Sequence, residues 1–214
     1  MEDPKDILRQ TPVIPVLTVG SVEQAVPLAR ALVEGGVTVL EITLRTPAGL
    51  PSIKEISKAV PEAIVGAGTV RNPADFMAAC EAGSRFIVSP GITDSLLQAA
   101  KSSLVPLIPG VGTVSEMMWA LDYGIDCLKF FPAGALGGAD ALKAFSGPFP
   151  EVSFCPTGGV GLHNIDQYYA LPSVLTVGGS WLTPQALLEA GDWSAVTALA
   201  HETASRVSSI KSKR

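Results

Sequence analysis

Val37-Thr38-Val39-Leu40-Glu41-Ile42-Thr43 is an aliphatic run broken by a single charge. Ala63–Thr69 (AIVGAGT) repeats the pattern, and further runs lie on both sides: Val13–Val19, Arg85–Ser89, Val105–Pro109, Asp126–Phe131, Val152–Thr157 and Val174–Gly178. Gly, Pro or Asn bounds each run, and the eight starts are about 23 residues apart. The runs are nearly continuous in apolar residues rather than alternating, which suits parallel strands buried on both faces.

Helical signals fill the gaps. Ser21 precedes Ala25, Leu28, Ala29 and Leu32, and Gly35-Gly36 ends that segment. Asn72-Pro73 offers an N-cap and a first-turn proline, with Gly83 closing. Thr113 with Glu116 forms a capping-box pattern, and Thr93 before Leu96 looks similar. Eight strand-then-helix units predict one (β/α)8 barrel domain, a TIM barrel, over residues 1–214. Asp3–Gln10 is expected as an N-terminal cap helix and Asp192–Ser208 as a closing helix. A doubly wound sheet fits less well, because Gly66-Ala67-Gly68 lacks the third glycine of a dinucleotide fingerprint.

Composition narrows the function classes. The 214 residues are 47% hydrophobic and only 16% charged, against about 25% charged in average domains. That apolar content excludes a disordered chain. A net charge of −5 without a basic run argues against nucleic acid as a partner. Lys211, Lys213 and Arg214 read as a frayed tail. Cys80, Cys127 and Cys155 form no paired motif and read as core residues of a protein in a reducing cytoplasm. The first ten residues hold no apolar signal core. The uncharged window Gln167–Leu188 contains Pro172, Gly178-Gly179 and Pro184, so it reads as turn, strand and turn rather than a membrane span.

Scarce charge helps to find a site. Arg85 and Asp126 open their runs, at the end of a barrel opposite to catalysis. Only Glu41 and Lys129 fall in run interiors, and Arg45 lies just beyond its run. Glu41, Thr43 and Arg45 share a face if the strand stays extended, as do Lys129 and Phe131. A buried lysine needs a carboxylate partner or loses its proton, and a neutral lysine is a Schiff-base nucleophile. A structural Lys–Glu pair is the plainer alternative. Glu41 suits a general acid/base or a counter-ion. Arg45 suits a carboxylate clamp or a surface ion pair. Thr69 and Thr157 end their runs and are ordinary turn residues unless a ligand uses them. Gly158-Gly159 and Gly178-Gly179-Ser180 follow runs seven and eight, where barrels often bind phosphate. His163 and His201 belong to no metal-ligand pattern, so neither metal nor cofactor is expected.

Six blocks then carry a resemblance: Val37–Thr46 (VTVLEITLRT), Val65–Val70 (VGAGTV), Ser89–Gly91 (SPG), Lys129–Ala133 (KFFPA), Phe154–Gly159 (FCPTGG) and Val177–Trp181 (VGGSW). Their order and spacing resemble the 2-keto-3-deoxy-6-phosphogluconate aldolases, which often share 4-hydroxy-2-oxoglutarate aldolase activity. The resemblance implies a metal-independent class I lyase releasing pyruvate from a phosphorylated 2-keto-3-deoxy sugar acid, and a homotrimer. It implies Lys129 as the Schiff-base lysine and Glu41 as general acid/base. Arg45 and Thr69 would surround the pyruvate carboxylate, with Pro90, Phe131 and Thr157 as pocket residues. Gly158, Gly159, Gly179 and Ser180 would receive the phosphate end. Two other readings remain: a phosphate-binding barrel of different chemistry, such as an isomerase or thiamine-phosphate-type synthase, and a non-enzymatic sugar-phosphate binder.

Overall fold

A computed structural model describes residues 2–212. Strands β1 (Ile14–Leu17), β2 (Val39–Thr43), β3 (Ile64–Gly68), β4 (Ile87–Val88), β5 (Leu107–Ile108), β6 (Gly110–Val111), β7 (Cys127–Phe130), β8 (Ser153–Pro156) and β9 (Gly178–Gly179) pair only in parallel. They form a six-stranded sheet, β5-β4-β3-β2-β1-β9, and a three-stranded sheet, β6-β7-β8. The fold is therefore parallel α/β, with its strands in two sheets rather than one eight-stranded ladder.

The fifth run shows why. Leu107 and Ile108 pair with β4, whereas Gly110 and Val111 pair with β7. Between them Pro109 has no N–H to give, and its carbonyl accepts from Lys129 N at 2.9 Å. The expected strand Val105–Pro109 thus shrinks to two residues, and a second short strand with a different neighbour follows just beyond it. The eighth run is also displaced, since only Gly178–Gly179 forms a strand. Before it, Val174 bridges Phe154, Leu175 N donates to the Phe154 carbonyl, and the Val177 carbonyl accepts from Ile14 N.

Side chains alternate between two buried layers, as the two-residue period of a strand requires. Val39 and Cys127 face an inner cluster with Ile14, Ile64 and Phe86. Leu40, Ile42, Leu128 and Phe130 face an outer cluster with Leu28, Leu32, Ile53 and Phe76 of the helices. Glu41 and Lys129 thereby fall on the inner face.

The helices start where their caps lie. The Asn72 side chain accepts from Asp75 N, that of Thr93 from Leu96 N, and Thr113 with Glu116 completes a capping box. Ser21 precedes α2 (Val22–Glu34) without a side-chain cap bond. The first helix, α1 (Pro4–Arg9), has six residues, too few to stand alone. Its Asp3 cap contributes about 1 kcal/mol. Burying Ile7 and Leu8 completely in the inner cluster contributes about 1.5–3 kcal/mol each, so packing holds it.

The charges expected at the far end of the strands are taken up by this segment. Lys5 Nζ lies 2.8 Å from Asp126, and Arg85 donates to Glu2 at 2.7 and 2.8 Å. The closing helix runs longer than expected, Trp193–Lys211. Lys211 is not frayed, since its ammonium stands 5.2 Å over the Tyr169 ring. Lys213 and Arg214 lie outside the described residues. Among the described residues no helix is long and apolar enough to cross a membrane.

Candidate active site

Glu41 is the middle residue of β2, and Lys129 is third in β7. They are the only charged residues in any strand of the described chain. Their side chains meet on the inner face, Lys129 Nζ donating to Glu41 Oε1 at 3.2 Å. Lys129 is 6% exposed and Glu41 3%, so each is the other's main electrostatic partner. Isolated burial of either charge would cost several kcal/mol. The ammonium also lies 5.4 Å from the centroid of Phe131, two residues further along the same face.

Beyond the carboxyl ends of the strands opens a cleft of about 500 Å³. Of the residues singled out from the sequence, Arg45, Phe131, Thr157, Gly158, Gly159, Gly179 and Ser180 line it. Glu41 and Lys129 do not; they are buried among the strands. Strand β2 ends at Thr43, whose hydroxyl donates to the Leu17 carbonyl. A turn therefore places Arg45, just beyond the strand as expected, and the condition under which it would share a face with Glu41 and Thr43 is not met. Arg45 Nε donates to Thr69 Oγ1 at 3.2 Å. Thr69 has φ +60°, a conformation that strains a β-branched residue. Pro90 stands apart, exposed, in a separate depression with Val70, Arg71 and Ile92.

The glycine loops are built, not slack. Gly158 and Gly159 have φ of +90° and +75°. The Thr157 and Gly158 carbonyls accept from Ala133 N and Gly134 N, both at 2.8 Å, tying this loop to the one after β7. Asn164 accepts from Gly161 N and donates to the Gly159 carbonyl. Asn164 thereby fixes the glycine loop.

Sequence reasoning missed part of the wall. Val16 of β1 and Thr18 just past it line the cleft, as do Thr183, Gln185 and Leu188 from the segment after β9. The last three belong to the end of the uncharged window Gln167–Leu188, whose lack of charge was the available signal.

Two thiols lie inside. Cys155 pairs in register with Lys129, and burial pushes its thiol up to about 12, the Lys129 charge pulling the other way. Burial also raises the Cys127 thiol. Both thiols stay protonated near neutrality.

Fold and site define a parallel α/β protein that holds a lysine–carboxylate pair among its strands, beneath a cleft of glycine-rich loops. The family model for KDPG and KHG aldolase matches residues 5–199. The KHG/KDPG aldolase of Escherichia coli K12 is 55% identical over 198 residues, spanning 92% of this chain and 93% of that one. A KDPG aldolase of Legionella pneumophila, with pyruvate captured as a covalent carbinolamine, superposes with TM-score 0.93 at 45% identity. That match covers 95% of this chain and 98% of the other. The 2-keto-3-deoxy-6-phosphogluconate aldolase of Zymomonas mobilis with 3-phosphoglycerate gives TM-score 0.89 at 46% identity, covering 95% and 96%. The chain belongs to the KDPG and KHG aldolase family.

Proposed function

We propose that this protein is a class I aldolase cleaving 2-dehydro-3-deoxy-6-phosphogluconate to pyruvate and glyceraldehyde 3-phosphate, and 4-hydroxy-2-oxoglutarate to pyruvate and glyoxylate. The observation that carries this reading is the Lys129–Glu41 contact at 3.2 Å, sealed among strands with no other charge.

The chemistry follows from that pair. Lys129 gives up a proton and its amine attacks the C2 ketone, forming a carbinolamine. Loss of water leaves a protonated imine, which draws electrons from the C3–C4 bond. Glu41, directly or through a water, takes the C4 hydroxyl proton as that bond breaks and the aldehyde departs. The enamine then receives a proton on C3, from Glu41 acting as acid. Water adds to the imine, and pyruvate leaves with Lys129 restored. Arg45, held by Thr69, meets the pyruvate carboxylate as a planar cation suited to a bidentate contact. The loops of Gly158-Gly159 and Gly179-Ser180, with Thr157 and Phe131 on the wall, receive the distal phosphate through backbone N–H groups and a hydroxyl.

We read the two sheets as one closed (β/α)8 barrel in a single domain over 1–214. The shared run Leu107–Val111 and the bridges Phe154–Val174 and Thr157–Gly178 support closure. In that reading α1 caps the amino-terminal end. A homotrimer in a reducing cytoplasm completes the proposal; the exposed Met77, Leu104 and Met118 and the scattered free cysteines agree with it. Borohydride added with pyruvate tests the central claim. The expected result is a permanent adduct at Lys129 by peptide mass spectrometry; an unmodified Lys129, where a control aldolase is trapped, overturns it.

A further inference from the structure

We propose that Gly68 is a positioning residue for Glu41: the missing side chain at the end of β3 seats the carboxylate beside Lys129. The proposal rests on the aldolase reading and deepens it. Beyond Ile64, strand β3 is bare on its inner face. Gly66 and Gly68 point inward there, while Val65 and Ala67 belong to the outer cluster. Each vacancy is filled from a neighbour. A Cβ on Gly66 would strike the buried Phe86 ring, 2.6 Å from its Cδ1. A Cβ on Gly68 would fall 2.7 Å from Glu41 Cδ, and closer still to its Cγ and Oε1.

The register explains the direction. Glu41 pairs with Gly66, and Thr43 with Gly68. The Glu41 side chain therefore leans two residues along the sheet, toward the cleft, and lies across β3 above Gly68. The contact involves its stem as well as its tip, so rotation of the carboxylate alone would not relieve a methyl group there. The whole side chain would have to swing away. Gly68 itself lies in ordinary extended backbone, outside the positive-φ set, so its conformation does not require glycine. Space for Glu41 is the reason for glycine at this position.

The test is a double-mutant cycle with pyruvate release as readout. Gly68→Ala is expected to lower kcat by about 30-fold or more, with KM changed less than about threefold. In a Glu41→Ala background the same substitution is expected to change the residual kcat by less than about twofold, because no carboxylate is left to displace. Equal losses in both backgrounds, or a full kcat in Gly68→Ala, overturn the proposal. Gly66→Ala is the control: it should lower Tm through the Phe86 contact and keep kcat. A matching kcat loss in Gly66→Ala would mean general loosening and also overturn it. If Gly68→Ala does not fold, the Glu41→Ala/Gly68→Ala protein must fold with the Tm of Glu41→Ala; failure of both overturns the role assigned. Borohydride trapping of the unaltered protein reports separately on the lyase reaction, so its failure and that of Gly68 are distinguishable.

Discussion

Lys129 Nζ and Glu41 Oε1 lie 3.2 Å apart although 88 positions separate the residues in sequence. The contact exists because strands β2 and β7 both present their third residue to the same interior. A buried pair of this kind adds little net stability, since desolvation offsets attraction, but losing one partner is costly.

Lys129→Met should therefore lower turnover by at least about 10³-fold and leave Glu41 buried without its cation. The expected stability loss at pH 7 is about 3 kcal/mol. The double variant Glu41→Gln/Lys129→Met should regain most of it while remaining inactive. Urea unfolding and pyruvate release check both halves; activity retained in Lys129→Met would remove the role assigned to it.

Thr69 sets stability against function. Its left-handed backbone favours glycine, so Thr69→Gly should unfold no more easily than the parent protein. The hydroxyl that holds Arg45 would be gone. A charged hydrogen bond is worth about 2 kcal/mol, so kcat/KM should fall by roughly 30-fold. Arg45→Lys should lose a similar factor, because an ammonium does not reproduce a planar fork. Paired Tm and kinetic measurements check these outcomes.

Ser180 lies at the rim of the cleft with Gly179. Ser180→Asp should repel a phosphate dianion and lower kcat/KM for the phosphorylated six-carbon acid by about 10²-fold, while changing that for 4-hydroxy-2-oxoglutarate much less. Equal losses with both substrates would place the phosphate elsewhere.

The buried thiols make stability fall at alkaline pH. In the unfolded chain a cysteine ionises near 8.5, whereas burial holds Cys155 near 12 and raises Cys127. The folded state thus keeps protons that the unfolded state loses. Stability is full below about pH 8.5 and declines above it, by about 2 kcal/mol per thiol at pH 10. Cys127→Ala should flatten that decline relative to the parent protein in urea titrations at pH 7 and 10. Iodoacetamide should label the half-buried Cys80 well before the other two.

Prolonged dialysis against a strong chelator should leave kcat unchanged, because each step proposed above uses only Lys129, Glu41 and water. A loss restored by a divalent cation would favour a metal-assisted lyase instead.

Much of this was legible in the sequence because burial leaves a direct mark on composition. Strands buried on both faces must be continuous in apolar residues, so the runs could be counted, and two charges inside them stood out. The caps at Asn72, Thr93 and Thr113 were equally local, since a hydroxyl or amide bonds a backbone N–H within three residues. Other features depended on partners distant in sequence. Pairing changes partner at the end of the fifth run, where Pro109 gives its carbonyl to β7, and the side chains lining the cleft from Thr183 to Leu188 have no periodicity that announces a ligand. By itself, then, the sequence determined the strand and helix units, the two interior charges and the glycine loops. Only the tertiary structure decided that Glu41 reaches Lys129, that Arg45 leans on a strained Thr69, and that the glycine end of β3 makes room for a carboxylate. Pattern reports the environment a residue needs, whereas a distance between side chains depends on how separate strands are brought together.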